Sequence, residues 1–418
     1  MSAVAVQEGE AKGKNLSSYA VFAALLSAAG LPIYIHAPKH FVDEYGVSLV
    51  ALGTMLFALR LLDVVQDPLF GRWSAHLGKH RATAVSIACF VIAVGMLGLF
   101  AVQPMLPPLV WFGLTLTLVF SAFSFLTINF YALGVHKASH LGAFGHLRLA
   151  RWRETGALIG VCVAAIAPVV LMIVMNAPFV GFAIGFAILA LVSAILMRGE
   201  WTANLTSEPS GFAVVLRDPI AKRLLLIAFV NAAPVAVSST LFLFYVESRL
   251  MAGGMEGPLL LLFFLSAAVS APIWGRLAET FGAKNVLMMA MGLAIFTFGF
   301  ACFLGAGDWI AFAFVCVGSG AALGADLTIL PALFANRMGQ ISPNATEGFG
   351  LWSFVSKLTL AFAAVLLLPT LQRAGFESGS VENVAGALFV LTILYAAVPC
   401  VLKALALVLL ATTELKES

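Results

Sequence analysis

The 418-residue chain is 61% hydrophobic and only 10% charged, with a mean hydropathy of +1.03 and a formal net charge of +3. Soluble globular chains carry roughly 25% charged residues, so this composition excludes a protein built mainly of soluble domains. The absence of a basic stripe excludes a nucleic-acid partner.

Residues 1–15 form a polar tail with Lys12 and Lys14 just ahead of the first apolar run, and no short-core cleavage pattern follows. A membrane helix takes about 20 mostly apolar residues, and twelve runs meet that length in chain order. They are Leu16–Ala37, Val47–Phe70, Ala82–Val102, Leu109–Val135, Thr155–Met175 and Phe179–Met197, then Leu224–Glu247, Pro258–Leu277, Val286–Leu304, Trp309–Phe334, Leu351–Leu371 and Val384–Leu410. The pattern predicts an all-α membrane protein with twelve transmembrane helices in two six-helix halves, 16–198 and 224–411. A polar loop, 199–223, joins the halves, and a tail, 412–418, ends the chain. Alternate connections collect most of the basic residues on one side, including Arg72, Lys79, Arg81, Lys137, Arg198, Lys222, Arg276 and Arg337, with Lys403 and Lys416 near the C-terminus. Only Lys39, Arg249 and Arg373 fall on the other. Positive-inside bias makes the first side, with both termini, cytoplasmic. A bacterial plasma membrane is the expected location, and the lipid bilayer the expected environment of a monomer.

Within the second run, "RLLDVVQDPLFGR" places Arg60, Asp63 and Asp67 in an otherwise apolar stretch. At 100° per residue the three fall within a wedge of about 60°. Carboxylates four residues apart on one helix face can close around a small hard cation. Their mutual repulsion also raises at least one pKa, which makes a proton an alternative. A structural Arg–Asp bridge is the plainer reading. An internal repeat weighs against it: "DPLFGRWSAHLGK" from Asp67 aligns with "APIWGRLAETFGAK" from Ala271 at an offset of 204, so that Asp63 faces Ala267 and Asp67 faces Ala271. An intramembrane charge costs about 2.5 to 3.5 kcal/mol on insertion scales, and the other half does without it.

Two parallel six-helix halves resemble the major facilitator superfamily, and the two repeat segments resemble its loop after the second helix. The pattern R-x-x-D-x-x-x-D-P-x-x-G is similar to that of the glycoside-pentoside-hexuronide:cation symporter family. The resemblance implies cation binding by Asp63 and Asp67, with Na⁺ or H⁺ as coupling ion, and a coupling or structural role for Arg60. It extends to "GFGLWSFVSKLTLAFAA", where Lys357 matches an intramembrane lysine of the family. On the fourth helix, "SFLTINFYALG" sets Ser124 where it can ligate the ion, Thr127 at the position of a sugar-binding aspartate, and Tyr131 at an aromatic position. The acid of the first helix is replaced by Ser27. Arg153 resembles an arginine near the family's site, with a cytoplasmic anchor as the alternative.

In the C-terminal half, Asp326 and Lys357 lie on successive helices and are expected to join a charge network, either with each other or, for Lys357, with the acids of the second helix. Asn231, Pro234, Ser238 and Ser239 group on the seventh helix, where a freed carbonyl can line a pathway or mark a packing kink. His36 and His40 read as interfacial residues rather than a metal site. Cys89, Cys162, Cys302, Cys316 and Cys400 read as small buried hydrophobes. The sequons at Asn204 and Asn344 fall on the cytoplasmic side and are expected to stay unmodified.

No phosphate-cradling loop and no nucleophile with its base is present, so neither an enzyme nor ATP-driven transport is expected, and no cofactor. The expectation is a cation-coupled secondary transporter of a small polar solute, such as a sugar or glycoside, working by alternating access. Because both sugar acids are replaced, an amphipathic lipid or drug-like solute is the alternative. A non-transporting scaffold or sensor is the alternative of another class.

Overall fold

The computed structural model describes residues 16–30, 37–38, 40–42, 44–142, 144–201, 211–342, 344–376 and 383–414. The N-terminal tail, His36, Lys39, Asn204 and most of the central loop fall outside them. The described chain is helical, without a strand among the described residues.

Each predicted run overlaps a described helix. They are α1 Ser17–Ala28, α2 Leu49–Ala75, α3 Gly78–Phe100, α4 Pro108–Ser139, α5 Gly145–Val174, α6 Pro178–Met197, α7 Pro219–Arg249, α8 Glu256–Phe281, α9 Ala283–Phe303, α10 Trp309–Ile341, α11 Thr346–Arg373 and α12 Ala385–Ala411. Among the described residues, eight are long and apolar enough to cross a membrane: α3, α4, α6, α7, α8, α9, α10 and α12. The charges of "RLLDVVQDPLFGR" lower the apolarity of α2, so what singles out that helix chemically also weakens its hydropathy signal.

Local chemistry sets several helix starts. Ser48 accepts from Ala51 N at 3.2 Å ahead of α2, and Asp218 from Ala221 N at 2.7 Å ahead of α7, each satisfying one orphan donor of a first turn. Pro108, Pro178 and Pro219 take first-turn positions, where a missing N–H costs nothing. Gly282, at φ 85°, makes the sharp reversal from α8 to α9, in a region that L side chains rarely adopt.

The chain divides into two compact units: residues 1–217 with 335–354, and residues 218–334 with 355–418. The boundaries cut α10 after Phe334 and α11 after Phe354.

In the first unit α1 packs on α5 and α6, α3 on α4 and α6, and α2 on α4. The α1–α5 contact is backbone-close, because a Cβ at Gly156 would lie 2.1 Å from Ala20 O and one at Gly160 would lie 2.5 Å from Ala24 O. This is the small-xxx-small solution to helix packing in lipid, where burial of apolar surface gives no drive and close dispersion contact does. A second close approach joins α2 to α11, since a Cβ at Gly71 would stand 2.9 Å from Thr346 O and 3.1 Å from Gly350 Cα. Polar ties surround that crossing. Arg81 Nη2 donates to Ser74 O and to Asn344 Oδ1, each at 3.2 Å, and Asn344 Nδ2 donates to Ala75 O at 3.1 Å. Asn344, of the second sequon, is thus buried and tied into this crossing.

In the second unit α12 packs on α7 and α9, and α8 on α9. The π turns Tyr245–Arg249 of α7 and Ile393–Ala397 of α12 bring Tyr245 and Tyr395 into a stack at 4.1 Å, and Tyr245 Oη donates to Ala301 O at 2.5 Å. The wider π geometry re-aims one side chain per turn, which here seats two large rings face to face.

Candidate functional site

Asp63 and Asp67 are 3% and 0% exposed on α2, both in the first unit. Asp63 Oδ1 accepts from Gln66 Nε2 at 2.6 Å, and Gln66 Oε1 accepts from Ser121 Oγ of α4 at 2.9 Å. Asp67 Oδ2 accepts from Ser353 Oγ of α11 at 2.5 Å. Two buried carboxylates therefore sit one helical turn apart, each held by a neutral donor. Hydroxyl and amide donors of this kind orient a carboxylate and fix where its oxygens point. The side chain of Arg60 lies outside the described residues.

Ser124 is buried on α4, one turn beyond Ser121. Thr127 Oγ1 is buried and has no hydrogen-bond partner among the described residues. That hydroxyl stands where the resemblance sets a sugar-binding acid.

Tyr131, Arg153 and Glu154 form one cluster. The Arg153 guanidinium stacks 3.7 Å from the centre of the Tyr131 ring, its Nε donates to Glu154 Oε1 at 2.7 Å, and Tyr131 Oη donates to the same oxygen at 3.0 Å. The Phe349 ring lies 5.2 Å from Tyr131. Arg153 is 4% exposed and its Nη2 is buried without a partner among the described residues, so it is not the solvent-facing cytoplasmic anchor weighed from sequence. One face of the Tyr131 ring carries the guanidinium. Ser27 is half-buried near the end of α1, where its carbonyl accepts from Gly30 N at 3.1 Å.

The remaining candidates lie in the second unit. Asp326 is 8% exposed on α10, and its Oδ2 accepts from Lys403 Nζ of α12 at 2.5 Å. The same Nζ donates to Asn231 Oδ1 of α7 at 2.8 Å. Of the two partners expected for Lys357, the pairing with Asp326 is therefore corrected: Lys403 is the cation of Asp326, and Lys357 is half-buried on α11. Lys403 itself, counted from sequence among the cytoplasmic bases, is 5% exposed inside the helix packing. Its long stem makes the error natural, since a lysine near a helix end ordinarily snorkels to the interface. Here a carboxylate and an amide hold it inside.

Sequence reading missed Gln66, Ser121, Ser353, Glu154 and Lys403. Gln66 and Glu154 each adjoin a residue that was singled out, Asp67 and Arg153, so polarity inside an apolar context was the available signal. Ser353 carries none, since a serine in a membrane helix bonds its own backbone as readily as a distant acid. His40, expected at the interface, packs among Phe41, Tyr45, Phe100 and Phe179 at ring-centre distances from 4.9 to 5.8 Å.

Comparison with known proteins adds the family. The family described as MFS/sugar transport protein matches residues 16–417. Among curated proteins nothing matches. Among solved structures, a bacterial homologue of the iron transporter ferroportin in an outward-facing state superposes with a TM-score of 0.69 at 14% identity, covering 95% of this chain and 98% of that one. The human organic anion transporter MFSD10 (TETRAN) superposes with a TM-score of 0.62 at 15% identity, covering 94% and 98%. Identities this low establish a shared fold and nothing about cargo. Family match, fold and apolar helices together make the chain a membrane transporter of the major facilitator type, and it belongs to the MFS/sugar transport protein family.

Proposed function

We propose that the protein is a cation-coupled secondary transporter of a small polar solute, with Na⁺ or H⁺ bound at Asp63 and Asp67. The observation that carries this reading is the burial of both carboxylates on α2, one turn apart and held by Gln66 and Ser353. Register in the other half supports it. Ala267 and Ala271, which the repeat aligns with Asp63 and Asp67, are both fully buried on α8, so a helix of this fold packs at those positions without charge. Two carboxylates in low dielectric repel and are costly to keep ionised. A bound cation or proton relieves that cost, so ion occupancy changes which conformations are accessible. Differential stabilisation of conformations is the requirement for coupling. Alternating access then carries solute and ion by movement of one six-helix half against the other.

A sugar or glycoside is the first choice of solute from the family. Thr127 and Ser27, in place of two acids, favour a less demanding hydrogen-bonding partner, which keeps an amphipathic solute as the second reading.

The test is uptake into proteoliposomes under an imposed Na⁺ or H⁺ gradient, after a thermal-shift screen of sugars, organic acids and lysolipids has identified a solute. Asp63→Asn and Asp67→Asn should each abolish gradient-driven accumulation while leaving a folded protein. Accumulation at wild-type level by either variant would show that its carboxylate is structural and overturn the assignment.

A further inference from the structure

Three polar side chains of the first unit bind one another. Glu154 Oε1 accepts from Arg153 Nε at 2.7 Å and from Tyr131 Oη at 3.0 Å, and the guanidinium stands 3.7 Å over the centre of the Tyr131 ring. Arg153 and Glu154 are each 4% exposed, while Tyr131 is half-buried. Successive residues on a helix point about 100° apart, so a bond between Arg153 and Glu154 requires the arginine to fold back along α5 instead of reaching outward.

This arrangement bears on the charge of the solute. Among the first-unit residues assigned to the solute cavity, Ser27, Thr127, Tyr131 and Arg153, only Arg153 is charged. Glu154 meets that charge at contact distance, so the pair adds no net charge to the cavity. The Tyr131 hydroxyl is engaged by the same carboxylate, which leaves the carbon framework of its ring to face a solute. A carboxylate solute would compete with an acid already joined to the same helix as Arg153, and would meet the repulsion of that acid in low dielectric. A neutral solute meets no such repulsion.

We propose that Glu154 sets the charge of the solute: by holding Arg153 and Tyr131 it makes the site accept an uncharged molecule and reject an organic acid. The inference rests on the placement of Tyr131 and Arg153 in the solute cavity, and not on the ion assigned to Asp63 and Asp67. Removing the carboxylate inverts the preference, because a guanidinium left uncompensated in low dielectric favours an anion that can pair with it.

The experiment follows the melting temperature of purified full-length protein in a nonionic detergent at fixed Na⁺, titrated with sodium benzoate, benzamide, sodium D-glucuronate and D-glucuronamide. Each acid and its amide share size and shape and differ in charge, and a ligand of the folded state raises stability by mass action. Neither acid should stabilise the wild-type protein saturably. In Glu154→Gln, which preserves shape, at least one acid should bind saturably and about tenfold or more tighter than to wild type, the scale of one hydrogen bond to a charged group. The converse variant, Arg153→Gln, strands the carboxylate and should respond to benzylammonium and not to benzoate. Where only one variant folds, that variant decides. Saturable binding of either acid by the wild-type protein would overturn the charge selection. Folded variants that answer to none of these probes would place the pair off the solute path, overturning the proposal and the cavity assignment together. Failure of both variants to fold would make the pair a structural bridge and overturn the proposal as well. None of these results bears on ion coupling, which uptake into proteoliposomes tests separately.

Discussion

Ser353 Oγ donates to Asp67 Oδ2 across 2.5 Å, linking side chains 286 positions apart in the chain. A hydrogen bond to a charged group contributes about 1.5 to 3 kcal/mol. Ser353→Ala should therefore destabilise the protein by about 1 to 3 kcal/mol in urea denaturation, and Ser353→Thr, which keeps the hydroxyl, by less. If Asp67 holds the coupling cation, Ser353→Ala should also weaken the dependence of melting temperature on that cation. An unchanged denaturation midpoint in the alanine variant would mean that the bond adds nothing to stability.

Lys403, not Lys357, is the partner whose loss strands Asp326. Lys403→Ala should cost about 3 to 5 kcal/mol, because it leaves a buried carboxylate without its cation. Adding Asp326→Ala should recover most of that loss. Lys357→Ala and Asp326→Ala should instead add to within about 0.5 kcal/mol, as independent sites do. A double-mutant cycle with strong coupling for Lys357 and none for Lys403 would reverse the assignment.

At the α2–α11 crossing, Gly71→Ala would set its Cβ 2.9 Å from Thr346 O and 3.1 Å from Gly350 Cα, with backbone on both sides and no flexible side chain to yield. Overpacking of this kind costs about 1 to 3 kcal/mol. Gly53→Ala, on the same helix with nothing within 4 Å of the added methyl, serves as the control and should be neutral or slightly stabilising. Comparable melting temperatures for the two variants would show that the helices separate freely at Gly71.

Both termini and the loop 199–223 should face the cytoplasm, on the asymmetry of basic residues. A cysteine placed at Ser210, which lies outside the described residues, should resist a membrane-impermeant maleimide in intact cells and react after permeabilisation. Labelling of intact cells would invert the topology.

The positions of the helices were legible in the sequence because their causes are local. Apolar length, Ser48 and Asp218 as caps, and prolines in first turns act within a few residues of each helix start. Periodicity alone put Asp63 and Asp67 on one face, and the repeat alone showed that Ala267 and Ala271 take the matching positions. Small residues four apart at Gly156 and Gly160 were also open to reading as a packing face, and they hold α5 against Ala20 and Ala24 of α1.

Partnership was not legible. A helix in a membrane is apolar on every side, so hydropathy does not encode its rotation or its depth relative to its neighbours. Asp326 and Lys357 occupy successive helices, which made Lys357 the nearest opposite charge to Asp326 within the predicted membrane runs. Their rotations instead bring Lys403 of α12 to the carboxylate, and Asn231 of α7 accepts from the same ammonium. Arg153 was weighed as a site residue or a cytoplasmic anchor, and only the fold shows it buried against Tyr131 and Glu154. The sequence by itself determined where charge enters the membrane, since that follows from composition along one helix. Which group meets that charge was decided by tertiary structure, because a hydrogen bond between helices depends on a few tenths of an ångström of approach that no single helix specifies.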